Sequence, residues 1–210
     1  MAIKLTKKDI DWIQKKYPKL KRKSDILWQG EVNFNREFNG VPIKSSYLLE
    51  IKFESKQGSI LPQVKELGGK FDEISKELNL PIIDLHINHD KTICLCIYKK
   101  EKGYFTNGFS VQVFFENILE PYLYWITHYQ RYKTQPWGGY AHGEFGYLEL
   151  YAENEISISE LKEYISIEKL LKYKKMKGHH PCLCGSKKIL RKCHVLIYNA
   201  IYKLKKELYE

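Results

Sequence analysis

A chain of 210 residues with 43% apolar content can bury a core, as one domain or as one domain with a small appendage. It has no run approaching the roughly 18 apolar residues of a membrane span, and its first residues, MAIKLTKKDIDWIQKKYPK, lack a secretory apolar region, so no membrane association and a cytoplasmic location are expected. The formal charge of +10 sits mostly between Lys162 and Glu210, where 13 Lys plus Arg face 4 Glu; with the basic run KKYPKLKRK this suits a solvated surface, an acidic partner or nucleic acid.

Thr6 and Asp9 ahead of Ile10, Trp12 and Ile13 predict a capped N-terminal helix ending before Pro18. ILWQGEVNFNREF and SSYLLEIKFES are rich in β-branched and aromatic residues and flank Asn39-Gly40, which predicts antiparallel strands joined by a turn. QVKELGGKFDEISKELN reads as a loop passing into a short helix closed by Asn79 and Pro81, and TICLCIY as a third strand. Val111, Phe114, Phe115, Ile118 and Leu119 have helical spacing, with Pro121 starting or kinking a further turn. The glycine-rich PWGGYAHGEFGYLELYAENE is expected to be a long loop, and Ser157 with Glu160 forms a capping box in front of a linking helix. The fold class is α+β, divided into a front domain at 1–155, a linking helix at 156–178 and a cysteine-rich tail at 179–210.

Five cysteines, two in mid-chain and three near the end, make a poor disulfide framework and suit reactive or metal-binding thiols. In HHPCLCGSKKILRKCH, Cys182-x-Cys184 and Cys193-His194 are four ligands of the type tetrahedral zinc takes, a closed structural site whose binding energy would fold the segment. His179 and His180 are spare donors. Cys182, Cys184, Gly185, Ser186, Lys187, Lys188, Cys193 and His194 resemble the SEC-C motif, a small zinc-binding element at the tail of the bacterial preprotein translocase ATPase and of other bacterial proteins. That resemblance implies partner docking or nucleic-acid contact.

The succession LWQGEV, YLLEIKF, LPQVKELGG, DLHINHDKTICLCIY and TNGFSVQVFFENILEPYL resembles the ubiquitin-conjugating enzymes over residues 1–155, with His86-Ile87-Asn88 in the place of the family's His-Pro-Asn and Ile93-Cys94-Leu95 around the catalytic thiol. HGEFGYLELYAE resembles the end of the bacterial branch, whose members travel with cyclic-oligonucleotide antiphage defence systems. Ile87 departs from the family's proline, and the interval from Asn88 to Cys94 is shorter than in eukaryotic members. The resemblance implies that Cys94 accepts the C-terminal carbonyl of a ubiquitin-like protein, or of a cyclic-nucleotide synthase of the nucleotidyltransferase class, as a thioester supplied by an activating enzyme, and passes it to an amine. It makes Asn88 the oxyanion donor. His86 reads as a brace of the cysteine loop, and His142, in a glycine-rich loop, as a base or orienting group. Asp84 and Asp90 flank the cysteine loop, and Cys96 reads as a small core hydrophobe. An inactive adaptor on the same scaffold and a nucleic-acid-binding module led by the basic tail are the alternatives.

Overall fold

Thr6 caps helix α1 (Lys7–Lys16) as its pattern requires: its hydroxyl accepts from the Asp9 amide at 3.2 Å while the Asp9 carboxylate accepts from the Thr6 amide at 2.9 Å. The computed structural model describes residues 1–56, 58–141, 143–183 and 188–207. Contacts divide the chain into two compact units, Met1–Gly138 and Gly139–Glu210. The architecture is α+β.

In the first unit, strands β1 (Leu20–Arg22), β2 (Leu27–Phe38), β3 (Val41–Lys52) and β4 (Gln63–Glu66) form one antiparallel meander in the order β1-β2-β3-β4. Asn39 and Gly40 both take positive φ, 49° and 76°, the geometry of a two-residue hairpin turn whose twist matches the strands it joins. Gly30 is fixed by close approach rather than by a turn: it lies opposite Leu20, and a Cβ there would stand 2.0 Å from the Lys19 carbonyl oxygen. The inner face of β2 and β3 buries Trp28, Val32, Phe34, Ile43, Tyr47, Leu49 and Ile51 against helices that follow in the chain.

Helix α2 (Lys70–Leu78) ends at Asn79 in the left-handed conformation, and a 3-10 turn over Ile82–Leu85 follows. Helix α3 (Tyr98–Tyr104) leads to a long helical segment: α4 (Val111–Val113), a π-helical stretch (Phe114–Leu119) and α5 (Glu120–Tyr132). The π-helical stretch ends at Leu119 and α5 begins at Glu120, so Pro121, which cannot donate an amide to the α ladder, sits in the first turn of a new α-helical stretch, next to where the sequence predicts a start or a kink. Phe114, Phe115, Ile118 and Leu119 are buried along this stretch.

TICLCIY is not a strand. It meets β4 only through the bridge Lys65↔Thr92 and the bond from the Ile93 amide to the Val64 carbonyl. Continuing that register would set Leu95 opposite Pro62, which has no N–H to donate, so the ladder stops and the chain turns away. The local composition is β-like, but the partner strand is missing where it is needed.

The second unit contains α6 (Glu144–Ala152), α7 (Ile158–Tyr164), α8 (Ile167–Lys174), α9 (Leu190–Cys193) and α10 (Val195–Glu207). Its core is built from Leu148, Leu150, Tyr151, Leu161, Leu170, Ile197, Ile201 and Leu204. The glycine-rich stretch expected to be loop as far as Glu155 becomes helical at Glu144. Leu148, Glu149, Leu150 and Tyr151 are all buried, so no polar face alternates to give a helical period in the sequence. The Ser157–Glu160 capping box forms, yet the expected single linking helix is two short ones separated at Ile165 and Ser166.

One ionic cluster ties the first unit together and has no signature in the sequence. Glu120, 5% exposed, accepts from the Tyr17 hydroxyl at 2.7 Å and from Arg36 Nη1 at 2.9 Å, while Arg36 also donates to the Glu116 carbonyl. Helix α1, strand β2 and helix α5 are thereby joined. Because removing Arg36 leaves the buried Glu120 carboxylate facing the more distant Lys16 ammonium at 3.7 Å, Arg36→Met is expected to lose about 2 kcal/mol in urea unfolding, less than a fully buried and otherwise unpaired charge would cost. Adding Glu120→Gln should recover most of it, and an undiminished loss in the double variant would contradict the assignment.

Candidate active site

The loop from His86 to Cys94 is folded by its own backbone. The Asn88 amide donates to the Thr92 carbonyl at 2.8 Å, the Lys91 amide to the Asn88 carbonyl at 2.9 Å, and the Cys94 amide to the His86 carbonyl at 2.7 Å. Lys91 and His86 take positive φ, 63° and 61°, to close the turn and to end the preceding 3-10 turn. Beneath it the Tyr122 hydroxyl donates to the Leu85 carbonyl at 2.8 Å, fixing the residue just before the loop to α5.

Side chains then lock the loop. Asp90 accepts from the Thr92 hydroxyl at 2.5 Å, from the Thr92 amide at 3.0 Å and from Lys56 Nζ at 2.7 Å. Lys56 also donates to the Thr92 hydroxyl at 3.0 Å, and Asn88 Nδ2 donates to the same oxygen at 3.1 Å. The Thr92 hydroxyl, in a residue only 2% exposed, is thus the joint through which Lys56 and Asp90 orient the Asn88 amide. The Lys56 ammonium, with help from Thr92, holds the Asp90 carboxyl far below the usual carboxylate range.

Cys94 and Asn88 line one cleft of about 170 Å³. Its remaining wall comes from Lys56, Ser59 and Leu61 to Gln63, from Thr92 to Cys96 and from Glu101 of α3. Burial is the first cause, and the Glu101 carboxylate the second, that push the Cys94 thiol upward, so it rests as a neutral thiol. Cys96 is pushed up further, to about 12, and its thiol donates to the Ile97 carbonyl at 3.4 Å. Both cysteines face the cleft although no strand places them there.

His86 gives the site its carbonyl, while its ring packs edge-on to Trp125 with centroids 5.5 Å apart. His142 lies outside the described residues and belongs by chain position to the second unit. Asp84 is exposed in the 3-10 turn. Glu101 and Lys56 carry no sequence signal: each lies among polar and charged neighbours and reads as solvated surface, yet Glu101 is 3% exposed.

In the second unit, a tight return closes with the bridge Pro181↔Ile189 and the bond from the Cys182 amide to the Lys188 carbonyl at 2.8 Å. This brings Cys182 to the end of α9, where Cys182 Sγ and His194 Nδ1 stand 3.2 Å apart. One donor atom each from Cys182, Cys193 and His194 lies within 4.8 Å of the others, a cluster that could hold a metal ion. Cys184 lies outside the described residues, as do Gly185, Ser186 and Lys187. His180 Nδ1 accepts from the Lys177 amide at 3.3 Å.

Comparison with protein-family models, with curated proteins and with solved structures finds no match to this chain.

A carboxyl held low contributes stability that is present above its unfolded pKa, about 4, and is lost as pH falls from there through the folded value. Amide exchange across residues 86–94, corrected for intrinsic rate, should therefore stay slow from neutral pH to about 4 and quicken below it. Asp90→Asn should quicken it at neutral pH while changing global stability by less than about 1 kcal/mol, since the Lys56–Asp90 pair is half exposed. Unchanged exchange in that variant would contradict the lock.

Proposed function

We propose that this chain is a ubiquitin-conjugating-like acyl carrier in which Cys94 holds a polypeptide C-terminus as a thioester and passes it to an amine. The observation that carries the reading is the presence of Cys94 and Asn88 in one cleft, on a loop held by its own backbone and by the Lys56–Asp90–Thr92 lock. The sequence context, His86-Ile87-Asn88 ahead of Ile93-Cys94-Leu95, supports it.

Loading exchanges the donor's bond at the carbonyl carbon for a C–S bond, splitting one difficult acyl transfer into two easier ones. A resting neutral thiol reacts only when its proton is removed, which spares it from indiscriminate alkylation and oxidation. When an amine attacks, negative charge develops on the carbonyl oxygen. An amide donor already fixed by its bond to Thr92 needs no reorganisation to meet that charge and contributes about 3 kcal/mol. The polypeptide handled is a ubiquitin-like protein or the C-terminus of a cyclic-nucleotide synthase, in bacterial antiphage defence, after supply by an activating enzyme.

For the second unit the reading is a structural zinc site at Cys182, Cys193 and His194, completed by Cys184. Three converging sulfur and nitrogen donors fit that ion's preference, and the ion would staple the return between Pro181 and Ile189 to the end of α9. The surrounding lysines suit recruitment of an acidic partner or nucleic acid.

Co-expressed with its partner, the wild-type protein should give a thiol-sensitive adduct on non-reducing electrophoresis, and Cys94→Ala should abolish it without loss of folded structure by circular dichroism. Persistence of the adduct in Cys94→Ala would defeat the proposal. Purified protein should carry about one zinc per chain by elemental mass spectrometry, lost in the Cys182→Ser/Cys193→Ser variant. Equal metal content in the two proteins would remove the zinc site.

A further inference from the structure

Aminolysis of a thioester needs a proton acceptor, because nitrogen that has attacked a carbonyl must shed a proton for the amide to form. The sulfur that departs must then regain one, since burial makes the neutral thiol the resting form of Cys94. Among the described residues the cleft wall holds a single carboxyl group, Glu101. It is 3% exposed, and it is built in: the Ser59 hydroxyl stands 3.0 Å from each of its oxygens, and the Ile60 amide donates to Oε2 at 2.9 Å. Its charge acts on both thiols of the cleft. The wall's cation, Lys56, is engaged by Asp90 and Thr92 and, being an ammonium, cannot accept a proton.

We propose that Glu101 is the proton acceptor of the Cys94 cleft, taking the proton of the attacking amine and returning it to the cysteine sulfur. The inference rests on the acyl-carrier reading of the same site. The step balances without a co-reactant. The nitrogen lone pair forms the N–C bond, the intermediate collapses with the C–S electrons leaving on Cys94 Sγ, the nitrogen proton passes to a Glu101 oxygen, and Glu101 then delivers it to the thiolate. Amine and thioester become amide and thiol. Burial lifts the Glu101 carboxyl toward the range in which a base both is ionised near neutral pH and binds a proton usefully.

The test uses the full chain in a Cys96→Ala background. Cys94 is acetylated with p-nitrophenyl acetate, the label is located by peptide mass, and its discharge is followed with free lysine and, separately, with hydroxylamine. Hydroxylamine is largely unprotonated at neutral pH and a strong nucleophile for its basicity, so it depends less on a base. Glu101→Gln keeps an oxygen to accept from Ser59 and Ile60, and circular dichroism verifies that it folds. Its discharge by lysine should fall about 100-fold while discharge by hydroxylamine stays within about twofold. An unchanged lysine rate overturns the inference, and so does an equal fall with both amines, which a merely structural glutamate would give. If Cys94 takes no acetyl label, the acyl-carrier reading beneath the inference is what fails.

Discussion

The loop between His86 and Cys94 has no strand to lean on for most of its length, so the placing of its side chains rests on the Lys56–Asp90 ion pair and the Thr92 hydroxyl between them. Backbone bonds alone would close the turn, but they leave the Asn88 side chain to rotate. The chain Lys56, Asp90, Thr92, Asn88 fixes that amide at the edge of the cleft that Cys94 occupies. Such half-exposed pairs contribute little to global stability; here the pair's effect is local and geometric. The precision of the site therefore comes from one polar network laid over a scaffold whose stability is set elsewhere.

That scaffold is the antiparallel meander and the helical segment from 111 to 132. The long β2–β3 hairpin supplies the apolar inner face, and the Glu120 cluster fastens α1 and α5 to β2. From α5 the Tyr122 hydroxyl reaches the Leu85 carbonyl, so the core holds the residue from which the loop departs. Core, loop and side-chain lock thus act in series, and the chemistry proposed for Cys94 depends on all three.

Features governed by local chemistry were legible in the sequence. The Thr6–Asp9 and Ser157–Glu160 boxes, the Asn39-Gly40 turn, the Asn79 stop and the start of a new helical stretch beside Pro121 each follow from side chains a few residues apart. What failed depended on distant partners. TICLCIY has strand composition, but only the position of Pro62, just ahead of the neighbouring strand β4, shows that its ladder must end. Helix α6 buries four consecutive residues, Leu148 to Tyr151, and has no fully exposed face, so it shows no period. At the site the cysteine and asparagine stood out by context, whereas Glu101, between lysines, and Lys56 gave no sign of being drawn to the same cleft. In the tail, Cys182, Cys193 and His194 come together as the spacing suggests, because the return at Pro181 and Ile189 brings the first cysteine back to the start of α10.

The account stands on Cys94 being a neutral thiol that solvent-borne reagents can reach. The most direct measurement is the pH dependence of its alkylation by iodoacetamide in the native protein, read by peptide mass. Modification of the folded chain with a midpoint above the ordinary cysteine value, about 8.5, is the expected result. A Cys94 that resists the reagent at every pH until the protein unfolds, or one that titrates well below that value, would contradict it.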